Sequence, residues 1–375
     1  MRFEEAYESW QSKHLTQEEA AQLLGVCARS FRRYINRYHE EGLDGLIDKR
    51  LHQVSHRKAP TDEVLALEAL YKEQSEGWNA KHFYDKKYTG SRSYTWVKKT
   101  LQKSNLLAKG KRKGAHRKKR ERAPLPGMLI HQDGSTHQWV PGESWDLIVT
   151  MDDATNEVYS AFFVEEEGTW SSLRGVRETI EKQGLFCSFY SDRGSHYWHT
   201  PEAGGKVDKA NPTQFGRALD ELGIERIAAY SPQARGRSER LFRTWQDRLV
   251  KELASEGITD MAKANEYVQA VFLLEFNRDF TVSSTEEGSA FVPLLTQSLD
   301  DILCLKQERT VGNNNCVSYK GKNLQIPKQQ HRCHYMKAKV RVHEYHDGGL
   351  AVFHGPRCLA RFNTVGEMIV KDQAA

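Results

Sequence analysis

Paired cysteines and long apolar runs are both missing from this sequence of 375 residues. Its six cysteines are scattered and none forms a CxxC pair, which argues against a zinc ribbon and against a disulfide scaffold. No apolar stretch approaches the roughly 20 residues needed to span a bilayer, and the N-terminus has no signal-peptide pattern. We therefore expect a soluble cytoplasmic protein, with length enough for several compact units.

A large excess of one charge is also missing, because 55 Lys and Arg residues stand against 50 Asp and Glu, a net charge of +5. This average hides a basic segment from Lys109 to Arg122, in which nine Lys or Arg residues accompany the single acid Glu121. Such a cluster attracts polyanions, although a solvated charge run is the simpler alternative. We predict a DNA-contacting linker over residues 109–126. Its candidate contacts are Lys111, Arg112, Lys113, Arg117 and Lys118.

Residues 15–40 have the pattern of two helices joined by a tight turn, inside a predicted DNA-binding domain at 1–55. Thr16 and Glu19 form a capping-box signature, and Gly25 supplies the turn. The second helix is predicted from about Ala28, with an exposed face of hydrogen-bond donors. These donors are Arg29, Ser30, Arg32 and Arg33. The pattern favours a helix-turn-helix that reads the major groove over an ordinary helical hairpin.

A second helical unit is predicted over residues 56–108. Its helices are expected at about 61–75, 81–87 and 93–107. The last of them would expose Lys98, Lys99 and Lys103 while Val97 and Leu101 pack inward. Tandem DNA-binding units followed by a basic linker would suit a protein that holds a long DNA site.

The region 127–300 changes to a mixture of strands and helices. Three strands are predicted at 128–132, 145–151 and 158–164, followed by a helix at 170–182. A strand at 185–190, a helix at 214–222, a strand at 225–230 and a long helix after Gly236 complete the pattern. This order is expected of a ribonuclease-H-like mixed sheet covered by helices. From 301 to 375, short strands with glycine turns predict a small β-barrel, so the whole chain is expected to be a multidomain α/β protein.

Three carboxylates are distinguished by their positions. Asp133 lies on the first strand, Asp192 follows the carboxyl end of an apolar strand, and Glu239 lies on the first turns of the long helix. Converging carboxylates repel one another unless a cation compensates, and Mg²⁺ prefers carboxylate oxygens. By contrast, Asp152 and Asp153 are expected to serve only turn chemistry.

The three segments resemble the acidic motifs of the DDE transposase and retroviral-integrase superfamily. They are HQDG at 131–134, YSDRGS at 190–195 and SPQARGRSER at 231–240. The continuation LFRTWQDRLVKEL at 241–253, FNRDF at 276–280 and the hairpin at 340–348 are similar to the ISNCY group of bacterial insertion-sequence transposases. The third motif is the most specific of them.

The resemblance implies that Asp133, Asp192 and Glu239 bind two Mg²⁺ or Mn²⁺ ions and catalyse strand cleavage at transposon ends and strand transfer into double-stranded target DNA. It places Arg235, Arg237, Arg243 and Lys251 near DNA phosphates, and two transposon ends would require at least a homodimer.

Two departures from the family pattern concern the second motif and the segment that follows it. The interval from Asp192 to Glu239 is longer than usual, and Arg193 and His196 replace the Asn and Glu often found in the motif. The departures leave the three acids intact.

Other interpretations remain open at this stage. Histidines at 131, 137, 196 and 199 fall near the acids, but no HxxxH pair supports a zinc site. The rival functions are a sequence-specific DNA-binding regulator with an inactive core, a nuclease acting on RNA–DNA hybrids, and a structural protein. The three acids disfavour the regulator, and the helix-turn-helix disfavours the hybrid nuclease because such modules read the grooves of B-DNA.

Overall fold

A computed structural model describes residues 2–48, 58–110, 120–202, 205–230, 236–295, 298–329 and 332–369. The chain divides into two compact units, Met1–Leu70 and Tyr71–Ala375. No helix in these ranges is both long and apolar enough to cross a membrane.

The first unit is built from short helices around a small core. They are α1 (Phe3–Gln11), α2 (Gln17–Leu23) and α3 (Ala28–Glu41), followed by a 3₁₀ turn at Gly42–Leu46 and the start of α4 (Thr61–Gln74). The capping box at the start of α2 is confirmed, because the Glu19 amide donates to Thr16 Oγ1 at 3.2 Å and the Thr16 amide donates to Glu19 Oε2 at 2.7 Å. Phe31 and Ile35 of α3 are buried in this core, and α1 was not foreseen from the sequence.

The second unit begins with the end of α4, then α5 (Ala80–Lys86) and α6 (Tyr94–Lys103). Asn79 and Ser93 cap the last two helices by accepting from the amides of His82 and Trp96, at 2.9 and 3.4 Å. Val97 is buried beneath α6, as its helical spacing predicts.

A five-stranded mixed sheet lies at the centre of the second unit. Its strands are β1 (Leu129–Val140), β2 (Glu143–Asp152), β3 (Val158–Val164), β4 (Ser188–Ser191) and β5 (Glu225–Ala228). Their order is β3-β2-β1-β4-β5, with antiparallel pairing of the first three strands and parallel pairing of β1 with β4 and of β4 with β5. The predicted succession of strands along the chain is confirmed, but β1 continues to Val140 and therefore carries Asp133 within the strand.

Helices cover both faces of this sheet. They are α7 (Thr169–Gln183), α8 (Gln214–Glu221), α9 (Gly236–Ser255), α10 (Met261–Tyr267) and α11 (Leu273–Phe280), with one π-helical turn at Val268–Phe272 joining the last two. Phe242 and Trp245 of α9 pack with Trp139 and Val149 on one face, and α7 and α8 pack around Ile130 on the other. The strands β2 and β3 are therefore buried over most of their length between two helical layers, as their apolar runs predict.

The C-terminal half of α9 also holds α5 in place. The buried Glu252 carboxylate lies 2.8 Å from His82 Nε2 and 3.0 Å from Lys86 Nζ, both on α5. The hydroxyl of Tyr267 donates to the same carboxylate at 2.7 Å. Because a buried carboxylate is stable only when it is paired and hydrogen-bonded, these contacts fix α5 on α9.

The predicted small β-barrel is not confirmed. After a short helix, α12 (Leu299–Ile302), come β6 (Leu305–Thr310), β7 (Cys316–Tyr319), β8 (Lys322–Gln325), β9 (Lys339–Glu344), β10 (Leu350–His354), β11 (Arg357–Phe362) and β12 (Met368–Ile369). Five of these strands form an open sheet in the order β12-β11-β10-β9-β6, and β7 pairs only with β8 among the described strands. The hairpin and the sheet bury a common apolar core, so the pattern of short strands is satisfied without closure.

The open sheet is attached to α8 by polar contacts. Arg217 donates to the carbonyl of Ile302 at 3.1 Å, and Lys306 Nζ lies 2.6 Å from Glu221 Oε2. The amide side chain of Gln214 donates to the Lys306 carbonyl and accepts from its amide, both at 2.9 Å.

His343 of β9 is buried beside this attachment and stacks on Phe353 with ring centroids 4.1 Å apart. Burial lowers its pKa to about 4, and the nearby charges of Lys306 and Arg217 lower it further than Asp301 raises it. The folded chain therefore resists protonation of this imidazole.

We expect stability to fall as the pH drops from about 6.5, where an unfolded histidine titrates, toward 4. The loss would reach about 3 kcal/mol at 1.36 kcal/mol per pKa unit. Urea denaturation at pH 7.5 and pH 5 measures it, and the His343→Phe variant should lose this part of the pH dependence. The exposed His334, changed to Gln, is the control, and equal pH dependence in both variants would contradict the prediction.

Candidate active site

Asp133 lies in the middle of β1 on the strand face that is turned toward α9. The side chain of Ser135, two residues farther on the same face, accepts a hydrogen bond from Gln246 of α9 at 3.0 Å. Asp133 itself is only 8% exposed. A carboxylate this buried requires compensation by hydrogen bonds, positive charge or a cation.

Asp192 comes directly after β4, the parallel neighbour of β1. The pairing aligns Leu129 with Ser188 and His131 with Tyr190, a constant offset of 59 residues. The same register carried two residues farther would set Asp192 opposite Asp133. The Gly194 amide donates to Asp192 Oδ1 at 2.8 Å and holds this half-buried carboxylate in a tight turn.

Glu239 lies in the first turn of α9 and is exposed. It shares a helix face with Gln246, seven residues along, and that residue contacts β1. The position predicted for Glu239, on the first turns of the long helix, is confirmed.

The buried Tyr197, which follows the second acidic motif, contacts side chains from two other segments of the chain. Its hydroxyl lies 3.1 Å from Gln132 Oε1 and 3.1 Å from Glu167 Oε1. Burial raises the pKa of Tyr197 well above its ordinary value, and the charges of Glu167, Asp133 and Asp192 raise it further. The phenol therefore remains protonated and acts as a donor within this acidic region.

Glu167 was not singled out from the sequence, yet it lies directly over the first motif. A Cβ atom at position 134 would overlap its carboxylate, which explains why glycine follows Asp133. The only sequence signal was this glycine within a strand, a feature that often marks a close approach.

The donor chemistry of the three predicted ligands suits a hard divalent cation, since all are carboxylates. Their arrangement does not yet form a closed site. Within the ranges that the structure describes, no three His, Cys, Asp or Glu side chains are grouped closely enough to hold a metal ion. Asp133 and Asp192 occupy adjacent strands, and Glu239 is the ligand that would have to turn inward.

The four histidines near the acids have separate partners. His131 Nε2 lies 2.7 Å from Asp153 Oδ1, and His196 Nε2 lies 3.3 Å from Glu167 Oε1. His199 is 3.8 Å from Asp208, and His137 packs edge-on against Trp139. Their separation gives no support to a zinc site among the described residues.

The two aspartates after β2 have different roles. Asp152 accepts from the amides of Ala154 and Thr155 at 2.8 and 2.9 Å, which confirms its role in the turn, but it also accepts from the distant Gly127 amide at 2.8 Å. Asp153 was expected to do the same, but its side chain is the acceptor of a buried ionic cluster that includes Arg120, His131 and Arg237. The expectation was wrong for Asp153 because its partners are distant in sequence.

The predicted DNA contacts fall into three groups. Arg29, Arg32 and Arg33 are exposed on α3, with Ser30 half-buried beside them, and Lys98 and Lys99 are exposed on α6. Arg243 is exposed on α9, whereas Arg237 is turned inward to Asp153 and Lys251 is half-buried against Asp247. The remaining contacts lie outside the described residues, namely Lys111, Arg112, Lys113, Arg117, Lys118 and Arg235.

Comparison with known proteins gives matches at the N-terminus and over most of the chain. The family model of winged helix-turn helix domains matches residues 10–61. The Sinorhizobium fredii protein y4bF, assigned as a transposase, is 29% identical over 361 residues, which cover 90% of this chain and 75% of the relative. The transposase for insertion sequence IS1202 of Streptococcus pneumoniae is 27% identical over 234 residues, 62% of this chain and half of that relative.

A solved structure of the HTLV-2 integrase catalytic core domain in complex with magnesium is 15% identical and covers 38% of this chain and 86% of its own, with a TM-score of 0.30. The similarity to transposases, by contrast, extends across both the helix-turn-helix and the mixed sheet. Over most of its length the chain is therefore similar to bacterial transposases.

Proposed function

We propose that this transposase binds the ends of its own mobile element, cleaves DNA strands there and joins them to target DNA. The observation that carries the proposal is the parallel pairing of β1 with β4, whose register, if continued by two residues, would set Asp192 opposite Asp133. The helix bearing Glu239 crosses the same face of β1. Clustered carboxylates are costly to a protein that only binds DNA, because they repel phosphates as well as one another.

The proposed ligands of two Mg²⁺ or Mn²⁺ ions are Asp133, Asp192 and Glu239. Two such ions, when bound, activate a water or 3′-hydroxyl group and stabilise the leaving oxygen in phosphoryl transfer. The pairing of β1 with β4 supports this assignment of the two aspartates, and the Gly194 amide donates to Asp192 Oδ1. Glu239 would have to turn toward β1 from the first turn of α9 to complete the set.

Strand cleavage and joining should depend on both metal and Asp192. The substrate is a plasmid that carries the DNA flanking the gene, incubated with Mg²⁺ or Mn²⁺. We expect nicks at the element's ends with the wild-type chain and a loss of about 10³-fold or more with Asp192→Asn, because several kcal/mol of charge stabilisation disappear.

The control is Asp347→Asn, which removes one acid from an exposed turn of the open sheet and should leave cleavage unchanged. Tight binding to the ends without cleavage, in the wild-type chain as in Asp192→Asn, would instead favour a DNA-binding regulator.

We further propose that α3 enters the major groove and that the basic faces of α6 and the linker contact phosphates. Arg32 and Arg33 are exposed side by side on α3 and have the donor geometry for base edges or phosphates. The proposed contacts from the linker and from Arg235 and Arg243 would extend the bound site toward the acidic residues.

Removing the arginines of α3 should weaken binding to end DNA. The variant Arg32→Ala/Arg33→Ala is expected to bind at least about 10-fold less tightly, since each lost contact costs about 1–3 kcal/mol or reduces the salt dependence. Fluorescence anisotropy at several salt concentrations measures both quantities. Lys263→Ala, an exposed cation on α10, is the control, and an equal affinity in the two variants would exclude α3 as the reading element.

A third part of the proposal is that at least two copies of the chain act together, because two element ends have to be joined. The helices after Glu239 are the candidate contact, and Val271 and Leu274 expose apolar side chains there. Light scattering of the complex with end DNA should give two or more protomers. A complex with a single protomer would refute this part alone.

A further inference from the structure

The carboxylate of Asp153 is the centre of a buried cluster that the turn chemistry does not explain. Its side chain is 1% exposed and accepts from Arg120, from His131 at 2.7 Å and from Arg237. The Ala123 amide donates to its second oxygen at 2.8 Å. Asp152 already supplies the acceptor for the turn, so these contacts give Asp153 a separate role. We call Arg120, His131, Asp153 and Arg237 the Asp153 cluster.

The Asp153 cluster joins four segments that are far apart in sequence. They are the end of the basic linker, the strand β1, the turn after β2 and the first turn of α9. Arg237 adds two bonds of its own, to the carbonyls of Arg120 and Glu121, both at 3.0 Å. Arg122 donates to the carbonyls of Asp153 and Ala154 at 3.0 and 3.1 Å. The end of the linker therefore contacts the same Asp153 carboxylate that binds Arg237 of α9.

The charges make this attachment strong. Two guanidinium groups face one carboxylate in a site where Asp153 and His131 are almost fully shielded from water. Coulomb attraction is strengthened by such shielding, and removal of the carboxylate would leave two cations facing each other. Neutralisation of Asp153 should therefore release Arg237 but leave the turn in place, because Asp152 accepts the hydrogen bonds of the turn.

The location of the cluster connects it with the proposed acids. His131 precedes Asp133 by two residues on the same face of β1, and Arg237 precedes Glu239 by two residues on α9. The contact of Gln246 with Ser135 fixes α9 at a second point, nine residues after Arg237. One attachment in the turn after β2 and one on β1 define both the position and the rotation of the helix that bears Glu239.

We infer that Asp153 is a positioning residue for Glu239: through Arg237 it holds the first turn of α9 in register with β1. Arg120 connects the same carboxylate to the DNA-contacting linker. The inference rests on the proposed function, since it assigns Glu239 to the metal site, but its first consequence is a property of α9 alone.

The experiment compares three variants of the full chain. Asp153→Asn removes the shared carboxylate charge, and Arg237→Gln removes the attachment of α9. Arg120→Gln is the matched control, because it takes one cation from the same carboxylate but leaves Arg237 in place. Hydrogen–deuterium exchange of the amides from Arg240 to Trp245 reports the order of the first turns of α9. Manganese binding is measured by electron paramagnetic resonance of free Mn²⁺, with the metal alone as the probe.

We expect Asp153→Asn and Arg237→Gln to speed exchange in 240–245 about 10-fold and to weaken Mn²⁺ binding by about 10-fold, the usual effect of losing a group that orients a ligand. Arg120→Gln should leave both measurements near those of the wild-type chain. If Asp153→Asn does not fold, Arg237→Gln still decides the question.

Two outcomes separate the inference from the proposed function. Unchanged exchange in Arg237→Gln, or an equal effect of Arg120→Gln, would overturn the positioning role of Asp153. Faster exchange with unchanged Mn²⁺ affinity would overturn it as well, because α9 would then be held for stability only. Failure of the wild-type chain to bind Mn²⁺ would count against the proposed metal site itself, whatever the exchange data give.

Discussion

The parallel pairing of β1 with β4 is the constraint from which the rest of the second unit follows. Because parallel neighbours run in one direction, residues at a constant offset lie side by side, and the offset of 59 aligns the two aspartate positions. A parallel pair also needs a long connection, which here contains β2, β3 and α7 and covers one face of the sheet. The same pairing leaves the other face of β1 available to α9, the helix that carries Glu239.

Charge is distributed unevenly around the paired strands β1 and β4. Carboxylates gather along β1 and the end of β4, while buried arginines and histidines are assigned to structural acids such as Asp153 and Glu252. Burial alone would raise the pKa of Asp153, but the hydrogen bonds of His131 and the Ala123 amide and the charge of Arg237 lower it below its ordinary value. The structural acid thus remains ionised and keeps its cations.

Local patterns in the sequence were sufficient for most of the fold. Apolar runs located β3, α7 and α8 to within one or two residues, and Thr16 with Glu19 predicted the start of α2. Contacts between distant segments could not be read in this way. Asp153 and Arg237 are 84 residues apart in sequence. Glu167 and Gly134 also lie close together, although the strands β2 and β3 separate them in sequence. The open C-terminal sheet was mistaken for a barrel because short alternating strands specify burial of one face but do not specify closure.

The contacts of Glu252 with α5 give α9 a second structural role. One end of this 20-residue helix bears Glu239, and its other half holds α5, against which the basic helix α6 packs. A helix of this length measures about 30 Å. The distance between the lysines of α6 and the carboxylates at the strand ends is therefore fixed by a rigid helix and does not depend on the length of the linker. If α6 contacts DNA as proposed, the second unit would keep a fixed interval between that contact and the proposed metal ligands.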